Sequence, residues 1–507
     1  MKVRVRFAPS PTGGLHLGGV RTVLYNYLFA KANGGDFVLR IEDTDQTRYV
    51  EGAEQYIMDC LKWCGLIPDE SPEKGGPYVP YRQSERKSLY REYAEKLLAS
   101  GNAYIAFDTA EEIEKMRKDH RIDEHSHAQY DSRTRGLMVN SLTLTPEQVN
   151  AKIAAGTPYV VRIKMPEHQT ITLRDMIRGE VSFDSSQSDD KVLLKADGMP
   201  TYHLAVVVDD YLMKITHAFR GEEWLPSAPV HVLLWEYLGW KAHMPQWAHL
   251  PLILKPDGNG KLSKRDGDRL GFPVFAMNWL DPKTGETTKG FKEMGFLPEA
   301  FVNMLAMLGW NSGSEQELFS LDELVHKFSI ERVHKGGAKF DFEKAKWFNQ
   351  QYIQRTDDAT LAELVKPYIE EGLKTVDSRL TTYDLRLIVS LIKDRCTLLP
   401  DFWAQGHFFF ATPEIKEEET MRKGWNDQKQ QFFTDWVAAL GTLPTWTHDT
   451  LENSFNELMP KHNLKKGDVL LPLRIMLVGG KYGPGVFAIA EVIGMEETVK
   501  RVKRVLG

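Results

Sequence analysis

The stretch RVRFAPSPTGGLHLGGVRTVLYNYLFA, residues Arg4–Ala30, predicts a strand, a glycine-rich turn and a helix. Val3, Val5 and Phe7 alternate with basic residues, as in a half-buried strand, and the apolar residues of 20–28 recur at helical spacing. Four glycines lie between the two segments, at positions 13, 14, 18 and 19. Such a turn lets backbone N–H groups approach an anion at the positive end of the helix dipole, although it also occurs for turn geometry alone. The stretch therefore favours an α/β fold that binds a nucleotide phosphate.

The composition narrows the class of protein. With 507 residues, of which 42% are hydrophobic and 26% charged, the chain is predicted to be a soluble globular protein of about two to four domains. The net charge of −6 argues against binding nucleic acid through bulk electrostatics, while a local basic face remains open. The start, MKVRVRFAPS, has no apolar leader segment, and the apolar run Val469–Gly480 is interrupted by Arg474. A cytoplasmic location without a membrane partner is therefore expected.

The three cysteines do not indicate a disulfide framework, because they are few and badly spaced. Cys60 and Cys64 share one apolar stripe of a predicted helix, 52–64, which favours a core position over a metal or redox pair. Within a polar segment farther along the chain lie three histidines, His120, His125 and His127. Their spacing is not that of a structural zinc site, so a polar loop is favoured there.

Residues 35–45 predict a second strand that runs into an acidic turn, and this segment ends with the sequence RIEDTD at residues 40–45. Open α/β sheets bind ligands at the carboxyl ends of their parallel strands. Glu42, Asp43 and Asp45 are therefore expected to face the same crevice as His16. Capping of the next helix by Asp43 or by its neighbour is the alternative explanation for these residues.

Two later segments return to this crevice. Residues 197–210, DGMPTYHLAVVVDD, contain a continuous apolar run that ends in two aspartates, which is typical of a buried parallel strand. A further strand is predicted over Ile215–Phe219, just before Arg220. Farther on, a strand and turn over 249–258 lead into the glycine-flanked basic loop GKLSKR, residues 260–265, which alone is often only a solvated hairpin.

Taken together, the ordered motifs resemble those of one family. APSPTGxLHLG resembles the HIGH signature of class I aminoacyl-tRNA synthetases, in the form used by bacterial-type glutamyl-tRNA synthetases. The basic loop is similar to the mobile KMSKS loop of that class, and RIEDTD and YRQS (residues 81–84) also match the family. The resemblance covers essentially the whole chain. It implies a glutamate–tRNA ligase that uses ATP and Mg²⁺ to form glutamyl-adenylate and transfers glutamate to the 3′-terminal adenosine of tRNA-Glu.

The resemblance also assigns an ATP site. His16, Lys261 and Lys264 are the catalytic candidates, because adenylyl transfer places negative charge on phosphates that positioned donors and cations stabilise. The complete expected set of ATP-binding residues is His16, Gly18, Gly19, Leu252, Ile253, Lys261, Ser263 and Lys264. Lys264 is expected to contact phosphate directly, Ser263 to support the closed loop, and Gly18 to leave room for adenine. Gly19 replaces the second histidine of the signature.

A glutamate pocket and a tRNA contact region are implied in the same way. The expected glutamate-binding residues are Arg6, Ala8, Ser10, Glu42, Tyr202 and Arg220. Two carboxylates need planar cationic donors, because a buried unpaired carboxylate is costly, so Arg6 with Tyr202 is assigned to the side chain and Arg220 to the α-carboxylate. Tyr202 as ordinary core and Arg220 as a surface ion pair are the alternatives. Asp45, Arg48 and Arg395 are candidates for tRNA contacts.

The expected fold is a Rossmann-like α/β catalytic domain with an inserted α+β domain, followed by an all-α anticodon-binding region. The expected divisions are 1–84 and 200–250 for the two catalytic halves, 85–199 for the insert, 251–340 for a stem-contact region and 341–507 for the helical region. Residues 278–289 are similar to an inserted hairpin or loop. The basic clusters 461–466 and 500–504 fit either a solvated face or phosphate contacts. The family implies a monomer, and no metal site is expected, because the cysteine-based zinc site that some relatives carry in the insert is missing.

Three other functions compete with this one. A small-molecule nucleotidyltransferase uses a similar turn but does not need a helical C-terminal third. A catalytically silent tRNA-binding module is expected to lose His16 or Lys264, and both are present. Among enzymes, glutaminyl-tRNA synthetase is the nearest alternative, yet the turn APSPTG rather than a PPEPNG-type sequence favours glutamate, and a helical C-terminal region contrasts with the β-barrels that are typical of glutaminyl enzymes.

Overall fold

Strands and helices are interspersed up to residue 341 of this computed structural model, which describes residues 2–120, 128–376 and 384–507. The strands are β1 Arg4–Phe7, β2 Asp36–Leu39, β3 Ala103–Ala106, β4 Val160–Ile163, β5 Thr170–Asp175, β6 Gly179–Asp184, β7 Val192–Leu194, β8 His217–Gly221, β9 Gln246–Leu250, β10 Ile253–Leu254, β11 Trp279–Leu280, β12 Thr287–Thr288 and β13 Ala338–Lys339. The helices are α1 Leu17–Ala32, α2 Ala53–Trp63, α3 Lys87–Ala99, α4 Ala110–Asp119, α5 Pro146–Ala154, α6 Tyr202–Leu212, α7 Ala228–Tyr237, α8 Lys264–Leu270, α9 Phe291–Met294, α10 Pro298–Met307, α11 Leu321–Lys327, α12 Phe342–Arg355, α13 Asp358–Leu373, α14 Leu385–Ile392, α15 Asp401–Gly406, α16 Glu418–Arg422, α17 Asp427–Leu440, α18 His448–Lys461, α19 Lys466–Val478 and α20 Val486–Leu506.

A six-stranded sheet with the order β2-β1-β8-β9-β5-β6 organises the first of two compact units, residues 1–291 and 301–341. All neighbouring strands are parallel except the edge hairpin of β5 and β6. The parallel order confirms the α/β class, since it requires helical crossovers such as α1 between β1 and β2. The carboxyl ends of β1, β2, β8 and β9 consequently lie along one edge, where the polar turns of the sequence follow them.

The first strand is buried on both faces, so the prediction of a half-buried strand was wrong. Arg4 and Arg6 are 8% and 3% exposed, because each guanidinium is paired with buried carboxylates. Arg4 donates to both oxygens of Glu70, at 2.7 and 3.0 Å, and Arg6 Nε donates to Asp210 at 3.0 Å. The basic residues that alternate with apolar ones in this strand form buried ion pairs and do not face solvent.

The apolar run before Asp209 and Asp210 forms helix α6 and not the predicted parallel strand. Val206, Val207 and Val208 are all buried, since α6 lies against the helices α3 and α7 and the strand β7. A short apolar run does not distinguish a buried strand from a buried helix by periodicity, which explains the error. The following strand was predicted correctly as β8, two residues later than expected.

The segment 85–199 contributes to two different sheets. Strands β3, β4 and β7 form an antiparallel sheet of their own, whereas the hairpin of β5 and β6 joins the edge of the main sheet through β9. The domain divisions given above stay predictions. Strands β11 and β12 pair antiparallel, so the segment 278–289 is a hairpin. Cys60 and Cys64 are buried as expected, and burial raises the pKa of the Cys64 thiol.

The second compact unit consists of residues 292–300 and 342–507, and its described part is built from helices. Its aromatic core includes Phe402, Phe408, Phe432, Trp436 and Phe455, each at most 1% exposed. This confirms the helical C-terminal region. Within the ranges that the structure describes, none of the helices combines the length and apolar character that crossing a membrane requires.

Candidate active site

A cleft of about 1180 Å³ opens at the carboxyl ends of β1, β2 and β8. Most residues that the sequence analysis assigned to substrates line this cleft: Arg6, Ala8, Ser10, His16, Gly18, Gly19, Glu42, Asp45, Arg48, Tyr202, Arg220, Leu252, Ile253, Lys261 and Ser263. Lys264 does not line it and is exposed at the start of α8. One cleft therefore brings together residues from five separate parts of the chain.

His16 lines the cleft, and one of its ring nitrogens is a hydrogen-bond donor without a partner among the described residues. It is the N-cap of α1, and its Nδ1 accepts from the backbone N–H of Gly18 at 3.4 Å. Nδ1 is then unprotonated, so the ring proton lies on Nε2, which is buried and has no hydrogen-bond partner among the described residues. Burial lowers the pKa of His16 to about 4, and Lys261 acts in the same direction. The neutral ring thus offers a fixed N–H to an anion.

Gly19 lies where the family signature has its second histidine. The side chain of Leu15 fills the space that a side chain at this position would need. A Cβ atom at position 19 would lie 2.7 Å from Leu15 Cδ1, which is closer than van der Waals contact. A Cβ at Gly18, by contrast, would meet nothing within 4 Å. The open space beside Gly18 is compatible with the adenine position that the sequence predicted, which stays a prediction.

A buried network of charges fixes Arg6 in the wall of the cleft. Arg6 donates through Nε to Asp210 at 3.0 Å and through Nη1 to the carbonyl oxygen of Phe219 at 3.1 Å. Asp210 also accepts from Arg40 at 2.9 Å, and Arg40 donates to Glu42 at 3.1 Å. Although burial alone would raise it, Arg6 and Arg40 hold the pKa of Asp210 below its usual range.

Glu42 is the carboxylate of this network that lines the cleft. It is 8% exposed, and burial raises the pKa of its carboxyl, partly offset by Arg40 and Arg6. A positively charged group in the cleft would favour the ionised form, because opposite charges at close range stabilise each other. The position therefore suits an ammonium ion.

Arg220, the penultimate residue of β8, lines the cleft. Its Nη1 donates to Tyr202 Oη at 3.1 Å and to His231 Nδ1 at 3.0 Å. The alternative of a surface ion pair is excluded, since Arg220 is 7% exposed. The ring of Trp224, which is 44% exposed, lies 4.8 Å from the ring of Tyr202 at the edge of the pocket.

The basic loop 260–265 contributes one of its lysines to the cleft. Lys261 Nζ lies 2.6 Å from Glu223 Oε1, just after Arg220 in the chain. Ser263 caps α8 by accepting from the backbone N–H of Asp266, and Asp266 accepts from Ser263 in return. The prediction of a glycine-flanked loop was correct up to Ser263, whereas Lys264 already belongs to a helix.

Asp43 does not face the cleft, so that prediction was wrong. Its carboxylate accepts from the backbone N–H and hydroxyl of Ser84, at 2.8 and 2.5 Å, and thereby anchors the YRQS motif. The helix-capping alternative was also wrong, because Gly52 occupies the N-cap of α2. Asp45 and Arg48 are exposed along the cleft.

Arg395 lies exposed in a short 3₁₀ turn of the helical unit. The basic cluster 500–504 contains both buried and exposed residues. Arg501 is fully buried and donates to Glu497 at 2.8 Å and to the carbonyl oxygen of Leu477 at 2.6 Å. It therefore belongs to the core and forms neither a solvated face nor a phosphate contact. Lys503 on the same helix is exposed.

Several cleft residues were missed by the sequence analysis: Thr12, Arg21, Lys195, Thr201, Glu223 and Trp224. Arg21 shows why. It donates to the carbonyl oxygens of Pro251 and Leu308, and thus ties α1 to the segment that carries Leu252. A basic residue among apolar helix positions was the only local signal, since its partners are more than 200 positions away.

A metal centre is not assembled by the side chains that the structure describes. No group of three or more His, Cys, Asp or Glu residues in the described ranges is placed to hold a metal ion. His120 ends α4 and is exposed. His125 and His127, which the sequence assigned to a polar loop, lie outside the described residues.

Comparisons with known proteins agree with this geometry. Residues 2–347 match the family described as tRNA synthetases class I (E and Q), catalytic domain, and residues 360–506 match an anticodon binding domain. A glutamate–tRNA ligase of Cytophaga hutchinsonii is 51% identical over 506 residues, covering 99% of this chain and 96% of the relative. That of Christiangramia forsetii is 52% identical over 503 residues, covering 99% and 98%.

A solved structure extends the match to the fold. The crystal structure of a glutamate tRNA ligase from Elizabethkingia meningosepticum, in complex with its amino acid, matches with a TM-score of 0.94 at 48% identity. The match covers 100% of this chain and 99% of that one. These comparisons confirm the family that the motifs resembled. The chain belongs to the class I aminoacyl-tRNA synthetases of the glutamate and glutamine type, and within them to the glutamate–tRNA ligases.

Proposed function

We propose that this chain is a monomeric cytoplasmic glutamate–tRNA ligase, which activates L-glutamate with ATP and transfers glutamate to the 3′-terminal adenosine of tRNA-Glu. The observation that carries the proposal is the content of one cleft. It combines two buried arginines, a buried carboxylate, an unpartnered imidazole N–H and a loop lysine. These are the groups that are needed to bind an amino acid with two carboxylates and a nucleoside triphosphate. All of them come from the first compact unit.

Glutamate binds at the arginine side of the cleft. Arg6 and Tyr202 hold the side-chain carboxylate, and Arg220 holds the α-carboxylate, because guanidinium groups pair with carboxylates in a bidentate geometry. Glu42 receives the ammonium group, with Ser10 and Ala8 beside it. Glutamine would place a neutral amide against Arg6, so the positive charge of Arg6 would lack a negative partner on the side that faces the ligand. The pocket therefore favours glutamate.

ATP binds toward the N-terminus of α1. His16 Nε2–H donates to the phosphate region, Gly18 leaves room for adenine, and the backbone of Leu252 and Ile253 lines the base. The α-carboxylate of glutamate attacks the α-phosphate, the bond to the bridging oxygen breaks, and pyrophosphate leaves. No enzyme nucleophile takes part, because alignment of the two bound substrates and stabilisation of phosphate charge account for the rate.

The loop 260–265 stabilises the leaving pyrophosphate. Lys261 exchanges Glu223 for phosphate oxygens, and movement of the loop brings Lys264, now exposed at the start of α8, to the same charge. Mg²⁺ would be held mainly by phosphate oxygens and water, as is usual for this ion. When bound, Mg²⁺ neutralises charge on the departing phosphates.

Transfer to tRNA follows in the same cleft. The terminal adenosine attacks the activated carbonyl carbon through its 2′-hydroxyl, and AMP leaves. Asp45 and Arg48, exposed along the cleft, contact the tRNA end, and Arg395 contacts the anticodon region from the helical unit.

Aminoacylation of total tRNA with labelled glutamate tests this function, with labelled glutamine as the control amino acid. The proposal expects incorporation of glutamate that depends on ATP and Mg²⁺, and at least a hundredfold less incorporation of glutamine. Arg220→Gln should raise the KM for glutamate far more than the KM for ATP. Incorporation of neither amino acid, or equal incorporation of both, would contradict the proposal.

A further inference from the structure

Two histidines lie behind Arg220 and form a chain of hydrogen bonds with it. His231, on α7, is fully buried, and its Nδ1 lies 3.0 Å from Arg220 Nη1. His203, on α6, approaches His231 from the other side, with 3.2 Å between His203 Nδ1 and His231 Nε2. We propose that His231, which is hydrogen-bonded through its other ring nitrogen to His203, is a positioning residue that orients the Arg220 guanidinium for the substrate carboxylate.

The tautomers follow from the arginine. A guanidinium only donates, so His231 Nδ1 must be the unprotonated nitrogen and the ring proton must lie on Nε2. His231 Nε2–H then donates to His203 Nδ1, which places the proton of His203 on its own Nε2. The tautomer of each histidine is therefore fixed, and so is the direction of both hydrogen bonds in the row Arg220, His231, His203.

The surroundings keep His231 neutral. Besides Arg220 and His203, the ring faces Tyr202 on α6, at 5.3 Å between ring centroids, and Trp247 on β9, at 6.4 Å. Burial holds the pKa of His231 well below its usual range, and Arg220 and His203 add to the effect. A protonated ring would lose the acceptor and place a second positive charge against Arg220.

The hydrogen bonds to Arg220 also determine which edge of its guanidinium is free. Nη1 is occupied by His231 and Tyr202. Nε is buried and has no hydrogen-bond partner among the described residues. A carboxylate accepts two parallel N–H bonds from one edge of a guanidinium, and the unoccupied edge here is the one formed by Nε and Nη2. Fixing Nη1 by His231 thereby presents the Nε–Nη2 edge to the ligand.

The test compares two variants of His231 that differ in one hydrogen bond. Asparagine places its Oδ1 near the position of Nδ1, so His231→Asn retains an acceptor for Arg220. His231→Leu is similar in size and has none. The inference rests on the proposed function, so glutamate-dependent aminoacylation by the unchanged chain is measured first. Failure of that reaction rejects the function, whereas the variants test the positioning role alone.

His231→Leu should raise the KM for glutamate about tenfold or more, the loss expected for a hydrogen bond to a charged group, and leave the KM for ATP within about twofold. His231→Asn should recover most of the glutamate KM. His203→Leu should shift the same KM in the same direction but less, since it removes the acceptor of the His231 Nε2–H and leaves the bond between His231 and Arg220 in place.

A double-mutant cycle shows whether His231 acts through Arg220. In the background Arg220→Lys, adding His231→Leu should raise the glutamate KM by much less than it does in the unchanged chain. Thermal unfolding of each variant separates positioning from loss of the fold. Equal effects of the Leu and Asn variants, a parallel rise in the KM for ATP, or full additivity with Arg220→Lys would each overturn the proposal.

Discussion

Lys261 Nζ lies 2.6 Å from Glu223 Oε1, so the loop lysine is paired with the cleft wall. Both side chains remain partly exposed, at 55% and 39%, and water therefore screens their attraction. A weak pair of this kind is readily exchanged for phosphate oxygens that carry more charge. Under the proposed function, in which Lys261 binds phosphate, this contact would make Glu223 a competitor of ATP for the same lysine.

Neutralising Glu223 should therefore favour nucleotide binding. The variant Glu223→Gln is expected to lower the KM for ATP by up to about fivefold at low ionic strength, because an exposed pair is worth at most about 1 kcal/mol. The difference should shrink in 0.5 M salt, where the Debye length is only a few ångströms. The exposed Glu180 on β6 offers a matched control, and Glu180→Gln should leave the KM unchanged. A raised KM for ATP in Glu223→Gln would argue against competition.

Substitutions of His16 separate its two nitrogens. Asparagine reaches only the position of Nδ1, so His16→Asn keeps the cap of α1 and loses the donor at Nε2. Removal of one preorganised donor to a developing anion typically costs about 10²–10³ in kcat, and we expect that loss here. Glutamine can extend an N–H to the position of Nε2, and His16→Gln should retain more of the activity. Equal loss in both variants, measured by pyrophosphate exchange, would contradict the assigned tautomer.

The low pKa of His16 links the stability of the fold to pH. Because the folded protein has a pKa of about 4 and the unfolded chain one of about 6.5, the unfolded state binds more protons between these values. The free energy of unfolding therefore rises with pH across this window, by roughly 3 kcal/mol for this residue in the limit of complete burial. In urea unfolding at pH 7.5 and 5.0, His16→Gln should lose less stability at the lower pH than the unchanged chain does. The exposed His120 supplies the control, and the same pH dependence in His16→Gln and His120→Gln would refute the link.

Arg501 in the helical unit should contribute to stability rather than to tRNA binding. Replacing it by methionine removes the buried cation of Glu497 and leaves the exposed Lys500, 3.2 Å away, as a remaining partner. The cost should therefore be at most about 3–5 kcal/mol, which is typical of breaking a buried ion pair. The exposed neighbour Lys503 serves as the comparison, and Lys503→Met should change the free energy of unfolding by no more than about 0.5 kcal/mol. Thermal unfolding of both variants measures the difference, and a stable Arg501→Met protein with weakened tRNA binding would reverse the assignment.

The sequence predicts those parts of the site that are encoded by local patterns. The glycines around His16, the acidic turn at Glu42 and the basic loop at Lys261 each follow a strand or precede a helix, so chain order alone places them at one edge of the sheet. The helical C-terminal region was predictable for the same reason, since amphipathic periodicity is a local property.

Long-range pairing accounts for what the sequence did not reveal. Whether Arg6 is solvated or buried depends on Asp210, more than 200 positions away, and the helix that carries Asp210 has no periodicity to distinguish it from a buried strand. His231 is equally invisible, because a lone histidine in an apolar helix becomes informative only when Arg220 and His203 are seen beside it.

The central claim, activation of glutamate in this cleft, is tested most directly by glutamate-dependent exchange of labelled pyrophosphate into ATP, with and without total tRNA and with glutamine as the control amino acid. We predict exchange with glutamate when tRNA is present, none with glutamine, and a loss of exchange in Lys264→Ala. No exchange with glutamate under either condition would contradict the assignments of Arg6, Tyr202 and Arg220 and the function built on them.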